Sequence, residues 1–208
     1  MYKRQGHTRW ATHGEPCEKN THPHFSYNEE LAIIQNGMIE NHHALRKELI
    51  SRGHIFTSET DTEVFIHFIE DIQEHHECSL EEAVRVALSK VIGSYAIVIM
   101  NKNNPTELLA AQKGNSLVIG VGNDEYFISS DASAIMKYTN EIIRLQEDKI
   151  AIINSNNLLI KNIDSTIQTP YIETLKMELA SVEKQGYDHF MLKEIFEQPM
   201  ATKDCMRG

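Results

Sequence analysis

The stretch Gly6-His7-Thr8-Arg9-Trp10-Ala11-Thr12-His13-Gly14 puts a guanidinium, an indole and two imidazoles on one glycine-bounded segment. Arg9 offers a planar five-donor fork suited to bidentate capture of a carboxylate or phosphate. The plainer reading is a surface arginine paired with one of 30 acidic residues. Trp10 is the sole tryptophan; by residue type it belongs in a core, whereas its glycine-bounded setting also suits a closing lid. Asn36-Gly37 follows the short apolar run 31–35. An amide side chain beside a backbone N–H can aim two donors at one developing oxyanion, and the same pair is also ordinary tight-turn chemistry. Asp61 stands where a helix is expected to begin. It reads either as a capping or first-turn acid favoured by the helix macrodipole or as a carboxylate that receives a ligand's ammonium group.

Other chemistries find less support. The histidine pairs His22/His24, His42/His43 and His75/His76 lack His-Glu-x-x-His or Cys-x-x-Cys spacing, so no metal and no cofactor is expected. Cys17, Cys78 and Cys205 are odd in number and far apart, which argues against a disulfide framework. Nothing in the sequence marks Cys17 as a reactive thiolate. There is no Gly-x-Ser-x-Gly elbow and no Walker-type phosphate loop. With 20 Lys plus Arg against 30 Asp plus Glu, the net charge of −10 disfavours nucleic-acid backbone binding. The longest apolar run, around 95–100, is strand-sized and far short of the ~18 residues of a membrane helix. Residues 1–5 lack the apolar core of a secretory signal. The expectation is a cytoplasmic protein with no membrane and no nucleic-acid partner.

These side chains must be positioned by ordinary globular elements. At 208 residues, 41% hydrophobic and 24% charged, the chain suits one large domain or two small ones. Gly and Pro punctuate residues 6–26 too often for a helix. A buried strand is expected over 31–35, stopped by Asn36-Gly37. Asn41 is expected to cap a helix carrying Leu45, Leu49 and Ile50 and closed by Gly53. Thr60 or Asp61 starts a second helix with Val64, Phe65, Phe68, Ile69 and Ile72 on one stripe. Ser79 with Glu82 forms a capping box for a third. Strands are then predicted at 95–100, 108–111, 117–121, 126–129, 142–145, 150–153 and 158–160, separated by turn residues at hairpin spacing. This pattern predicts an antiparallel meander with segregated helices, an α+β domain. Residues 174–208 return to a helical, charged composition.

Four segments in order carry a resemblance: Gly6 to Pro16, His22-Pro23-His24, Gln35-Asn36-Gly37-Met38-Ile39-Glu40-Asn41, and Ser58-Glu59-Thr60-Asp61-Thr62-Glu63-Val64. Together with Arg144 to Asp148 and Met191 to Pro199, they resemble the glutaminase domain of the isomerizing glutamine–fructose-6-phosphate aminotransferases, the glucosamine-6-phosphate synthases. The wording around Trp10 and Thr12-His13-Gly14 separates the chain from the phosphoribosyl-pyrophosphate amidotransferase and asparagine synthetase relatives. The resemblance implies an N-terminal-nucleophile hydrolase fold of the class II glutamine amidotransferases, an αββα four-layer sandwich. It further implies that an N-terminal cysteine attacks the glutamine amide, with its own α-amino group as base. The ammonia then passes to a sugar-isomerising domain that acts on fructose 6-phosphate. Within that family's pattern, Arg9 would bind the α-carboxylate of L-glutamine and Asp61 its α-ammonium, while Asn36 and Gly37 would form the oxyanion hole. Trp10 would gate a channel, and Thr12, His13 and His22 would line or support the pocket.

Departures from the family pattern shape the expectation. Tyr2, not a cysteine, follows Met1, and residues 1–5 read as a start foreign to the family. Residues 6–185 are expected to be a partial glutaminase domain lacking its first strands, and 186–208 the start of a linker to an absent sugar-isomerising domain. The chain is thus expected to be an inactive fragment of a homodimeric parent enzyme. The alternatives are a non-catalytic glutamine- or amino-acid-binding homologue, or another class II amidotransferase. Retention of Arg9, Asn36 and Asp61 together weighs against a decayed site, which would be free to lose them.

Overall fold

The computed structural model describes residues 4–154, 157–164, 166–175 and 184–206. Residues 4–23 have no regular structure beyond the 3-10 turn Glu18–Asn20, as their Gly and Pro spacing requires. There follow β1 (His24–Phe25), β2 (Leu31–Ile39), α1 (His42–Ser51), α2 (Asp61–His76) and α3 (Leu80–Lys90). Next come β3 (Gly93–Asn101), β4 (Glu107–Lys113), β5 (Val118–Val121) and β6 (Tyr126–Ser129). The chain continues through β7 (Glu141–Arg144), β8 (Lys149–Asn154), β9 (Leu158–Asn162), β10 (Ile167–Gln168), β11 (Glu173–Thr174) and α4 (Phe190–Cys205).

The strand expected to stop at Asn36-Gly37 runs on to Ile39. Every residue of β2 has a partner on β3, from Leu31 opposite Asn101 to Ile39 opposite Gly93, and this continuous ladder overrides the local turn chemistry. Asn41 also departs from expectation. Its side chain makes no cap bond to α1; instead it donates to the Lys90 carbonyl and accepts from the Ile92 N–H, both at 3.0 Å, tying the end of α3 to the start of α1. The other two helix starts follow the sequence. Thr60 accepts from Glu63 N–H and Ser79 from Glu82 N–H, each at 3.2 Å. Asp61 is therefore the first helical residue and not the cap. A two-residue β1 precedes the helices, so two strands and not one come before α1.

The strands sort into two antiparallel sheets, ordered β1-β2-β3-β4-β8-β9-β10 and β11-β7-β5-β6. The meander expected from turn spacing is interrupted: after β4 the chain leaves the larger sheet, builds β5 to β7 of the smaller one, and returns as β8. Both faces of the larger sheet are buried. Ile33, Ile97 and Ile99 pack with Val64, Phe65 and Ile69 beneath the α1–α3 layer, while Ala96, Val98 and Ala110 meet Ile119 and Ile143 of the smaller sheet. Outside the smaller sheet, Val118 and Ile142 pack with Ile135, Met136 and Leu175, beside the 3-10 turn Ala132–Ala134. The order of layers is helices, sheet, sheet, and a thin fourth layer. The helical reading of 174–208 holds from Phe190; Thr174 belongs to β11, and 176–183 lie outside the described residues. No helix among the described residues is long and apolar enough to cross a membrane.

Candidate functional site

A cavity of ≈ 250 Å³ opens where the 6–14 segment lies over the C-terminal half of β2 and the first turn of α2. It gathers the residues singled out from sequence: Arg9, Trp10, Thr12 and His13 from the segment, His22 ahead of β1, Asn36 and Gly37 from β2, and Asp61 from α2. Four separate stretches of chain thus deliver these eight residues to one volume.

Asp61 is 3% exposed, and its two oxygens are used unequally. Oδ2 accepts from Gln35 Nε2 at 2.9 Å and from Ile39 N–H at 2.8 Å. Among the described residues Oδ1 accepts no hydrogen bond; His13 Nδ1 lies 3.6 Å away, within ion-pair range. His13 Nδ1 is itself buried without a hydrogen-bond partner, as is Gln35 Oε1. Asp61, His13 and Gln35 thus bring to the cavity three polar atoms that have no hydrogen-bond partner among the described residues.

Arg9 has a left-handed backbone, φ 50°. Its guanidinium donates to the carbonyls of His13 at 2.8 Å, Gly14 at 3.1 Å and Glu15 at 3.3 Å. These bonds close the segment into a ring and leave two of the five N–H groups for a ligand. The surface ion-pair reading is not what the structure holds: Arg9 pairs with backbone oxygens. Trp10 is 90% exposed, so the core reading of the lone tryptophan is overturned; its ring stands at the cavity mouth. Asn36 is exposed, and its carbonyl accepts from Asn115 Nδ2 at 3.2 Å. Gly37 is forced: at φ 129° a Cβ would lie 2.2 Å from the Ser94 carbonyl oxygen.

Four histidines at or near the cavity are held below the ordinary imidazole range by burial. Burial, reinforced by His7, His24 and Arg9 nearby, pushes His22 down to about 3. Burial likewise lowers His7, His24 and His42. His22 Nδ1 accepts from the Gln35 N–H at 3.3 Å, so its proton sits on Nε2. His7 and His22 lie ring against ring at 4.2 Å, and His24 Nε2 meets Thr60 Oγ1 at 3.1 Å, coupling this wall to the start of α2. Among the described residues no cluster of His, Cys, Asp and Glu could hold a metal ion, and no thiol lines the cavity.

Gln35 was passed over in sequence as the last residue of a strand. The signal was available: period-2 alternation puts it on the same face as Leu31 and Ile33, and a glutamine on a core-facing position needs a polar partner. Ser94 and His42 were also missed. Ser94 touches the site only through the β2–β3 register, which turn-based reading broke off at Asn36.

A family described as the glutamine amidotransferase domain matches residues 7–137. The chain is 48% identical over 203 residues to the isomerizing glutamine–fructose-6-phosphate aminotransferase of Bacteroides thetaiotaomicron, covering 97% of this chain and 33% of that protein. It is 43% identical to the protein of the same name from Chlorobaculum tepidum, with the same shares, and 42% identical to that of Pyrococcus horikoshii, covering 98% and 34%. The chain spans about a third of the length of these curated relatives. Among solved structures, glutamine phosphoribosylpyrophosphate amidotransferase from B. subtilis superposes with a TM-score of 0.64 at 28% identity, over 77% of this chain and 35% of that one. A structure described as the allosteric regulatory enzyme of purine biosynthesis gives 0.65 at 29%, with the same shares. The antiparallel two-sheet architecture is accordingly that of the N-terminal-nucleophile, class II amidotransferases, and the chain belongs to the glutamine amidotransferase domain family.

Proposed function

We propose that the cavity binds L-glutamine, with Arg9 facing the α-carboxylate, Asp61 Oδ1 the α-ammonium, and Asn36 with the Gly37 N–H the side-chain amide oxygen. The observation that carries this reading is the asymmetry of Asp61: one oxygen is fixed by two donors and the other is left open toward the cavity. A buried carboxylate with a free oxygen favours a cationic group, because an unpaired buried charge is costly. Thr12, His13 and His22 shape the pocket, and the exposed Trp10 closes over it.

The amide chemistry follows from the donors. Attack on a glutamine amide develops negative charge on its oxygen, and donors already aimed there stabilise that charge without reorganising. The attacking group in this class is a thiolate with an amine base; no thiol lines the cavity among the described residues. The 208-residue chain therefore holds glutamine without turning it over, and Cys17→Ala is silent in a glutaminase assay. In the longer protein of which this domain is a part, the amide nitrogen is transferred to fructose 6-phosphate, with residues 6–185 as the glutaminase unit and 186–208 leading toward a sugar-isomerising domain. That parent is a cytoplasmic homodimer.

Calorimetric titration of L-glutamine into the chain tests the binding claim. A saturable heat is expected, weakened about tenfold or more by Arg9→Met, since charge-assisted bonds of this kind contribute roughly 1.5–3 kcal/mol. No heat at millimolar glutamine contradicts the assignment.

A further inference from the structure

Gln35 is 3% exposed, with its amide wedged between Asp61 and the cavity. A carboxylate only accepts, so the amide group 2.9 Å from Asp61 Oδ2 must be the nitrogen, and the oxygen is necessarily the free end. That oxygen, Oε1, is buried with no hydrogen-bond partner. A buried amide oxygen without a donor is unfavourable. The carboxylate that Gln35 holds has its other oxygen, Asp61 Oδ1, free of hydrogen bonds among the described residues, with His13 Nδ1 at 3.6 Å. Asp61 Oδ1 and Gln35 Oε1, a carboxylate oxygen and an amide oxygen, can only accept. An ammonium group presents three N–H donors and one positive charge.

We propose that Gln35 is a specificity-determining residue that selects ligands bearing an α-ammonium group. It acts in two ways at once: Nε2 holds Asp61 with Oδ1 turned toward the cavity, and Oε1 accepts one ammonium N–H directly. The backbone of the same residue donates to His22 Nδ1, so the strand position that fixes the ammonium site also fixes the tautomer of the adjacent wall. This proposal rests on the reading of the cavity as an L-glutamine site and adds the residue that discriminates at its α-carbon.

The test compares L-glutamine with 4-carbamoylbutanoate, which keeps the amide and the carboxylate and lacks the α-amino group, by calorimetry on the chain, Gln35→Met and Asp61→Asn. The wild-type chain is expected to prefer L-glutamine. Gln35→Met, close in volume but without donor or acceptor, should weaken L-glutamine about tenfold and leave the des-amino ligand within about twofold. Equal weakening of both ligands, or no weakening, overturns the proposal, since a merely structural role would not distinguish them. If Asp61→Asn abolishes the preference and Gln35→Met retains it, the Gln35 assignment alone fails. If the wild-type chain shows no preference and Asp61→Asn changes nothing, the glutamine-site reading fails and the proposal with it. Should Gln35→Met lose its cooperative thermal transition, Gln35→Asn, which draws the amide back from both Asp61 and the ligand, is held to the same criterion.

Discussion

At the position of Gly37, the Ser94 carbonyl oxygen would stand 2.2 Å from any added Cβ and the backbone adopts φ 129°. Gly37→Ala therefore combines a steric clash with a strained backbone and should cost about 3 kcal/mol or more, read as a lowered Tm together with loss of glutamine binding. A Tm unchanged from wild type would show that β2 and β3 can part without cost. His22 gives a second residue-scale prediction. Burial, reinforced by His7, His24 and Arg9 nearby, holds it at about 3, against 6.5 for an ordinary imidazole. The unfolded chain takes up this proton at the higher value and the native site refuses it until the lower one, so unfolding binds a proton between them and stability falls as pH drops through that window. Tm should decline from about pH 7 to about pH 4, less steeply in His22→Asn by about one proton; parallel curves would contradict the shift. Residue types and order singled out Arg9, Asn36, Gly37 and Asp61, and all four line the cavity. They did not reveal that Arg9 would close its own loop, or that Gln35 would be the partner of Asp61, because both depend on contacts between distant segments.

Among the elements, the turn ahead of α2 gathers most of its side-chain hydrogen bonds on one carboxylate. Glu63, buried in the first turn, accepts from Thr57 N–H at 2.8 Å, Thr57 Oγ1 at 2.7 Å, Ser58 N–H at 2.7 Å and Ser58 Oγ at 2.6 Å. Burial opposes its ionisation, but the donors from Ser58 and Thr57 outweigh it and hold its carboxyl below the usual range. Glu63→Ala removes the acceptor of four donors, two of them on the buried Ser58, and should destabilise the fold by about 2 kcal/mol in urea denaturation. Because the same turn sets where Asp61 enters the helix, glutamine affinity should fall as well. Retained stability would mean that water substitutes freely. Element starts were the most legible part of the sequence: Thr60 and Ser79 cap as their spacing to Glu63 and Glu82 predicts. Asn41 and Asn36-Gly37 misled for one reason. Each has strong local turn or cap chemistry, and each is engaged instead by a partner more than 45 residues away, β3 for Asn36-Gly37 and the α3–β3 junction for Asn41. Local propensity is a weak prior against such pairing.

Over the whole molecule, the sequence made plain that helices and antiparallel strands were segregated, and the resemblance implied four layers. It did not show which strands belong to which sheet. Hairpin-like separators before β5 and β8 look alike in sequence, yet the chain changes sheet there, because the apolar residues on both faces of β3 and β4 need a second sheet as well as helices to cover them. That layering brings the 6–14 segment, β2 and the start of α2 to one cavity and leaves the lone tryptophan exposed at its mouth. Trp10 is thus a built-in reporter, and its fluorescence during titration with L-glutamine is the most direct test of the central claim. If the cavity holds L-glutamine, the emission shifts saturably at millimolar ligand or below, and the shift is lost in Asp61→Asn. A spectrum indifferent to glutamine, or an equal shift in Asp61→Asn, would contradict it.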